Sequence, residues 1–408
     1  MNILLLTNCM SMPDDRETGV PDVVFFFAKE WQKAGHNVVI VKNESKYPAL
    51  FYIFPNFVYS WLKKKNNISI PSLASRKKLI IERDGIKIAR FPMGKLIPHS
   101  AFLESQYDKQ VDRIKSYLTE LNFSPDVITG HWIEPQLKLV SKLGEIYNAK
   151  TGFVVHGELP TNFNDEYKSY IRNLNCFFTR SEPVKRKMLT NPNYNYLIPE
   201  KTAVCYSGIP DEFLSNLSLR HDWKENSVFH VIYVGRLIRY KRLDSTLKAL
   251  KQAFPNGGYI FDIVGDGPEK DNWAALANEL GISDNVVFHG RVPRTEVIRM
   301  MSKADCFVMI SENEVFGLVY LEAMACGCIT IASKEGGVDG IIVNEENGFL
   351  CEQANSDELS NLLKTTNKMD KKSVECMRAS AFETVQKFSD SKVAQRYLND
   401  IIARSQNT

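Results

Sequence analysis

Ile3-Leu-Leu-Leu-Thr7 and Asn37-Val-Val-Ile-Val-Lys42 are two short apolar runs, and Asp22 to Lys33 between them carries apolar residues at helical spacing. Ala34-Gly35-His36 stops that helix, with glycine at the usual C-terminal break. Strand, helix and strand so joined make a βαβ unit, which demands a parallel sheet with helices on its faces. Further strands are predicted at Ile86 to Phe91, Val127 to Thr129, Gly152 to His156 and Cys176 to Thr179. The alternation then restarts. Val228 to Val234, Tyr259 to Val264, Val286 to His289, Cys306 to Ile310 and Cys328 to Ala332 read as strands. Asp244 to Phe254, Trp273 to Leu280, Arg294 to Ser302 and Leu318 to Cys326 read as the helices between them, with Asp244 as the N-cap of the first. The chain is therefore α/β, with two doubly wound domains in series and a hinge in or just after Asn191 to Pro199. A cleft between the carboxyl edges of the two sheets is the default site.

Composition agrees with that size of fold. The chain has 408 residues, 44% apolar and 24% charged, which excludes disorder and fibre and suits two or more cores. No apolar stretch reaches the roughly 20 residues of a spanning helix, because Pro48, Pro55 and Asn56 break the longest, Tyr47 to Leu62. The first residues lack the basic and small-residue parts of a secretory signal. Eight scattered cysteines, with no C-x-x-C pair, are expected as reduced, mostly buried thiols of a cytoplasmic protein, and no zinc site is expected.

The net charge of +3 hides an asymmetry: residues 1–200 carry 27 Lys and Arg against 20 Asp and Glu, and residues 201–408 carry 24 against 28. Residues 46–78 hold Lys46, Lys63, Lys64, Lys65, Arg76, Lys77 and Lys78 with no acidic residue, beside Tyr47, Phe51, Tyr52, Phe54, Phe57, Tyr59 and Trp61. Cations among aromatic rings suit an anionic lipid surface. The alternative is a partly buried helix pair followed by a solvated basic loop. Nucleic acid is not expected, since no DNA or RNA module signature accompanies the charge.

Two loops carry the chemistry. After the strand ending at Val234 come Gly235-Arg236-Leu237 and then Lys241, two cations on a strand-to-helix loop suited to a diphosphate. After Ile310 the chain reads Ser311-Glu-Asn-Glu314-Val-Phe-Gly317-Leu-Val-Tyr-Leu-Glu322-Ala-Met-Ala-Cys-Gly327. Glu314 precedes a helix N-terminus whose N–H groups around Phe316, Gly317 and Leu318 suit an anion, and Glu322 lies just over one turn into that helix. The apolar neighbours of Glu322 predict burial, so its carboxylate needs a ligand or a partner. Amides for phosphate with carboxylates for hydroxyls describe a sugar nucleotide.

This stretch, with its E-x7-E pair, resembles the retaining GT-B glycosyltransferases of family 4, which use nucleotide-sugar donors. Val234-Gly-Arg-Leu237 with Lys241, Val264-Gly-Asp-Gly-Pro268, Val287-Phe-His-Gly290, and Gly336-Gly337 with Asn347-Gly-Phe-Leu350 follow in that family's order. The resemblance implies that Arg236 and Lys241 bind the donor diphosphate, Glu322 the ribose and Glu314 a hydroxyl of the transferred sugar. It implies that the amides of Phe316 to Leu318 meet sugar and phosphate oxygens, and that Gly265 borders the nucleotide. Gly19 stands where the family places paired glycines near the donor, although Thr18 and Val20 flank it here. His156 matches a histidine near the reaction centre, while His131 and Glu158 are assigned to the acceptor side. Val315 and Gly340 depart from the family pattern, which more often has glycine and an acidic residue there.

By the same resemblance, residues 1–195 form an acceptor-binding domain, 200–385 a donor-binding domain, and 386–408 a helix that crosses back to the first. The expected reaction moves a sugar from a UDP- or GDP-sugar to a saccharide or polyprenyl-linked acceptor in the synthesis of bacterial surface polysaccharide. No metal or other cofactor is expected, and the protein is placed in the cytoplasm, peripheral to the inner face of the membrane. A nucleotide-sugar 2-epimerase, a glycogen-type phosphorylase and a membrane scaffold are the rivals. A nicotinamide dehydrogenase would need a G-x-G-x-x-G turn after the first strand, and Leu6-Thr-Asn-Cys9 supplies none.

Overall fold

The computed structural model describes residues 1–15, 22–55, 57–59, 61–62, 68, 70–98, 100–161, 163–215, 223 and 228–404. Gly19 and Lys63, Lys64 and Lys65 lie outside the described residues. The chain divides into two compact units. The first comprises Met1–Thr179, Lys187–Cys205 and the chain from Ala394 onward, and the second Arg180–Arg186 and Tyr206–Val393.

The first unit is built on eight strands: β1 (Asn2–Thr7), β2 (Asn37–Lys46), β3 (Leu79–Arg83), β4 (Ile86–Gly94), β5 (Val127–His131), β6 (Lys150–Val154), β7 (Cys176–Thr179) and β8 (Thr202–Val204). They run in the order β3-β4-β2-β1-β5-β6-β7-β8, all parallel except β3 against β4. Ile3 to Leu6 of the central β1 are fully buried, as a strand covered on both faces must be. The helix Val23–Lys33 buries Val24, Phe25, Phe27, Ala28 and Trp31, the stripe its spacing predicts. The carboxy-terminal helix, Asp390–Ala403, buries Tyr397, Leu398 and Ile401, and the Trp31 indole donates to the Ala394 carbonyl at 2.8 Å.

The hairpin of β3 and β4 escaped the reading above. Asp84 and Gly85 join the strands with φ of 50° and 77°, the paired left-handed conformation of a two-residue hairpin turn. An Asp-Gly pair between Leu-Ile-Ile-Glu-Arg and Ile-Lys-Ile-Ala-Arg was the available signal. The aromatic segment is also divided. Tyr47, Tyr52, Tyr59 and Ile70 form a small buried cluster, whereas Leu50, Ile53, Phe54, Phe57 and Trp61 are exposed.

The second unit is a six-stranded, wholly parallel sheet of β9 (Phe229–Val234), β10 (Tyr259–Val264), β11 (Val286–Gly290), β12 (Cys306–Met309), β13 (Ile329–Ser333) and β14 (Phe349–Cys351). Its order is β11-β10-β9-β12-β13-β14, so the strand sequence reverses between β9 and β12. Three-residue strands such as β8 and β14 are too short to show periodicity, and they too were missed. One cap differs from expectation. The helix Leu243–Ala253 begins at Arg242 in the left-handed conformation, and Asp244 sits inside the first turn, held by the Arg242 guanidinium at 3.2 Å. No cysteine is in a disulfide, and six of the eight are buried, but Cys9 is half-buried and Cys376 exposed.

Candidate functional site

Open parallel sheets bind ligands outside the carboxyl ends of the strands where the order reverses. In the second unit that place lies beyond β9 and β12, and the two loops there hold the cations and carboxylates singled out above. Lys241 ends the loop after β9, Glu314 lies in the loop after β12, and the Lys241 ammonium donates to a Glu314 carboxylate oxygen. Their side chains are 11% and 13% exposed, so the pair is largely withdrawn from water. The backbone ties the same loops together, since the Glu312 amide donates to the Tyr240 carbonyl at 2.8 Å. Arg242 adds a second clamp, its Nη1 donating to Glu312 Oε1 at 2.6 Å. Arg242 and Glu312 were not singled out in the sequence, because neither the loop spacing nor the helix pattern places them face to face.

Arg236 is exposed, and its Nη2 reaches the Tyr240 hydroxyl at 3.4 Å. The exposed Arg236 fork and the largely buried Lys241 therefore differ in kind, although both lie on one loop. Gly317 is the N-cap of the helix Leu318–Ala325 with φ of +78°, and a Cβ there would come within 2.5 Å of the Tyr320 ring. Gly317 offers no side chain to cap this helix; the Tyr320 amide donates to the Gly317 carbonyl at 3.0 Å, while the amides of Phe316, Gly317 and Leu318 have no acceptor among the described residues. Phe316 is buried against Tyr206, with ring centroids 5.6 Å apart, which anchors the segment leading into the helix. The Tyr320 hydroxyl donates to the Met309 carbonyl at 2.7 Å and fixes the helix to β12.

Glu322 finds a protein partner. Arg294, at the start of the helix Arg294–Lys303, donates from Nη2 to Glu322 Oε1 at 2.5 Å. Burial still pushes the Glu322 carboxyl above its usual value, against the lowering effect of Arg294. In the sequence Arg294 is only the first residue of a predicted helix, 28 residues away from its carboxylate.

Gly265 has φ of +139°, and a Cβ there would lie 1.8 Å from the Gly235 carbonyl oxygen. Gly267 is similarly crowded by Leu237, 2.3 Å from that carbonyl oxygen. These two glycines let the loops after β9 and β10 cross backbone to backbone, and the Leu237 amide donates to the Asp266 carbonyl at 3.0 Å. Their spacing thus serves loop packing.

In the first unit, β5 ends at His131 and β6 is followed by His156. His131 is fully buried, with Nδ1 3.0 Å from His156 Nε2 and Nε2 3.2 Å from the Tyr397 hydroxyl. His156 is half-buried and stacks flat on Trp132, with centroids 4.0 Å apart at 6°. His131 is thus enclosed by protein, in contact with His156 at one ring nitrogen and with Tyr397 at the other. Glu158 is exposed and paired with Lys187. Beside the histidines, the Glu134 carboxylate accepts from the Tyr107 hydroxyl at 2.6 Å and from Tyr167, and both phenols are pushed far up, first by burial and then by that carboxylate. Asn8, just after β1, donates to the Glu134 carbonyl at 2.9 Å. Among the described residues no cluster of His, Cys, Asp and Glu is gathered for a metal. No helix of the described residues is long and apolar enough to cross a membrane.

Comparison with known proteins bears on this geometry. The family described as Glycosyl transferases group 1 matches residues 209–381, which include every second-unit residue discussed above from Arg236 to Glu322. N-acetyl-alpha-D-glucosaminyl L-malate synthase of Bacillus anthracis is 30% identical over 171 residues, 41% of this chain and 43% of that protein. The lipopolysaccharide core biosynthesis glycosyltransferase LpsD of Rhizobium meliloti (strain 1021) is 28% identical over 172 residues, 42% of this chain and 48% of that one. The chain thus spans under half the length of these curated relatives. The crystal structure of Anabaena HepE in complex with UDP has a TM-score of 0.65 at 18% identity, covering 100% of this chain and 99% of that one. The chain therefore has the two-unit Rossmann-like fold of GT-B glycosyltransferase structures, and its second unit carries the stretch matched by group 1 glycosyl transferases.

Proposed function

We propose that the protein is a glycosyltransferase that moves a sugar, with retention of configuration, from a UDP- or GDP-sugar to a saccharide or lipid-linked acceptor of a surface polysaccharide. The observation that carries this reading is the Lys241–Glu314 pair at the strand-order reversal of the second unit, with Arg236 beside it and an uncapped helix N-terminus at Gly317. Departure of a nucleoside diphosphate develops negative charge, and preorganised cations and amides are the means of stabilising it. Lys241, Arg236 and the amides of Phe316 to Leu318 supply them, so the chemistry has no need of a metal. Glu314 then passes from Lys241 to a hydroxyl of the donor sugar, and Glu322 takes the ribose. His156, held flat on Trp132, is assigned a contact with the donor sugar. The UDP bound to HepE supports a uridine donor, and the lipopolysaccharide role of LpsD supports a surface saccharide product.

The thermal midpoint with UDP, GDP, ADP or NAD at equal excess tests the reading, because a ligand that prefers the fold stabilises it by RT ln(1 + [L]/Kd). UDP or GDP alone is expected to raise the midpoint by several degrees, and the rise is expected to vanish in Lys241→Ala. A rise with NAD alone, or with none of the four, refutes the donor site. Turnover that disappears in EDTA and returns with Mg²⁺ refutes the metal-free chemistry.

A further inference from the structure

The first unit holds a second concentration of charge, remote in sequence from the loops described above. At the carboxyl ends of β2 and β4 there is a cavity of about 600 Å³ lined by Lys46, Arg76, Lys95, Lys109 and Arg113, with no carboxylate among its lining residues. The fold creates it. Lys46 and Gly94 are the paired last residues of β2 and β4, and the Lys95 amide donates to the Lys46 carbonyl at 2.8 Å. Lys109 and Arg113 stand one turn apart on the helix Glu104–Glu120 and so share a face.

The cations are held in place by rings and carbonyls rather than by ion pairs with described carboxylates. Arg76 lies 5.3 Å from the Tyr52 ring centroid, Lys95 lies 4.3 Å from that of Phe102, and Arg113 Nη1 donates to the Pro92 carbonyl at 2.9 Å. The Arg76 Nε is buried and has no hydrogen-bond partner among the described residues. None of the five forms an ion pair with a described carboxylate. Lys46, Arg76 and Lys95 are half-buried and Lys109 and Arg113 exposed, whereas the buried cations of the same unit are paired: Lys42 with Asp15 and Glu44, Arg90 with Asp14, and Lys138 with Glu104 and Glu166. Burial also disfavours the charged form of Lys95, against the pull of Glu134, a cost that a bound anion offsets.

We propose that this cavity binds an organic diphosphate, the anionic head of the acceptor. Five converging cations exceed what a monoanion neutralises, and two arginine forks match phosphate oxygens. The volume exceeds that of a bare diphosphate and leaves room for its substituents. Leu96 and Leu103 also line the cavity and are 71% and 61% exposed, an apolar lip on which an isoprenoid chain can lie. Calling the ligand an acceptor rests on the glycosyltransferase reading, whereas the anion site itself does not.

Calorimetric titration of the full chain with farnesyl diphosphate, inorganic pyrophosphate and farnesol tests this, with UDP titrated beside them. The variant is Lys109→Gln with Arg113→Gln, both on the exposed face of one helix, and its melting midpoint checks folding. The control is Lys241→Ala, which separates this cavity from the second unit's loops. Farnesyl diphosphate is expected to bind at least about tenfold more weakly to the double variant, with little change in Lys241→Ala, while Arg113→Lys alone keeps most of the affinity. Farnesyl diphosphate tighter than pyrophosphate assigns a lipid head group, and equal affinities assign a soluble diphosphate; either supports the site. Unchanged diphosphate binding in the double variant, loss confined to Lys241→Ala, or equal binding of farnesol overturns it. Diphosphate binding, with neither UDP nor GDP raising the thermal midpoint, leaves the cavity standing and removes the glycosyltransferase reading.

Discussion

Glu322 shows what a single residue asks of its surroundings. Its side chain is 17% exposed, its pKa is raised by this partial burial, and one guanidinium at 2.5 Å makes the charge tolerable. A raised carboxylate pKa means that the fold binds the proton more tightly than the unfolded chain, so ionising Glu322 costs stability as pH rises and the cost disappears below its ordinary value. Arg294→Ala removes the partner and is expected to destabilise the fold by about 1–3 kcal/mol at pH 7. That loss should shrink near pH 5 as the carboxyl takes up its proton, which urea midpoints at the two pH values will show. Glu322→Gln is expected to leave stability nearly unchanged yet weaken UDP or GDP binding about tenfold, the loss of one charge-assisted hydrogen bond. A variant that loses stability and keeps nucleotide affinity would make Glu322 purely structural.

Between the loop after β13 and the segment before the helix Leu318–Ala325, two stretches of backbone touch. A Cβ on Gly337 would lie 2.3 Å from the Phe316 Cα, a contact that no side-chain rotation relieves. Gly281 has open space around it, so substitution there meets only the strain of its φ of +65°. Gly337→Ala is therefore expected to cost about 2 kcal/mol or more and Gly281→Ala about 1, read from thermal or urea unfolding. Three strands of the second sheet share another device. Asp262 on β10 lies 2.6 Å from Nε2 of His230 on β9 and 2.6 Å from Nε2 of His289 on β11. Burial alone would raise its pKa, but the two histidine hydrogen bonds outweigh it and hold the carboxyl below its usual value. A depressed pKa contributes stability that is full above the unfolded value, roughly pH 4, and is lost as pH falls through the folded one. Asp262→Asn is thus expected to lower stability by about 1–3 kcal/mol at pH 6, with the gap to wild type closing below about pH 4.

Across the whole molecule, the end of the chain completes the core of its beginning. Tyr397 packs edge-on against Phe27 and Phe178, at 5.1 and 4.8 Å, and its hydroxyl meets both Thr129 and His131 Nε2. Tyr397→Ala is expected to destabilise the first unit by about 3–5 kcal/mol. Tyr397→Phe keeps the packing and is expected to cost about 1 kcal/mol, while loosening His131 and through it His156. Hydrogen exchange of β5 and β6 distinguishes the two: strong deprotection in the alanine variant, little in the phenylalanine one.

The alternating apolar runs determined the α/β class, most strand positions and both loops of the second-unit site, because a parallel strand buried on both faces writes its burial directly into consecutive residues. The E-x7-E stretch likewise located Glu314, Gly317 and Glu322, since a strand, a loop and a helix start are contiguous features. Tertiary structure alone decided the pairings: Lys241 with Glu314, Arg294 with Glu322, His131 with Tyr397, and five cations gathered without a carboxylate. Each joins residues on different elements, and the strand order and register that bring them together arise from packing, on which the local pattern of side chains is silent.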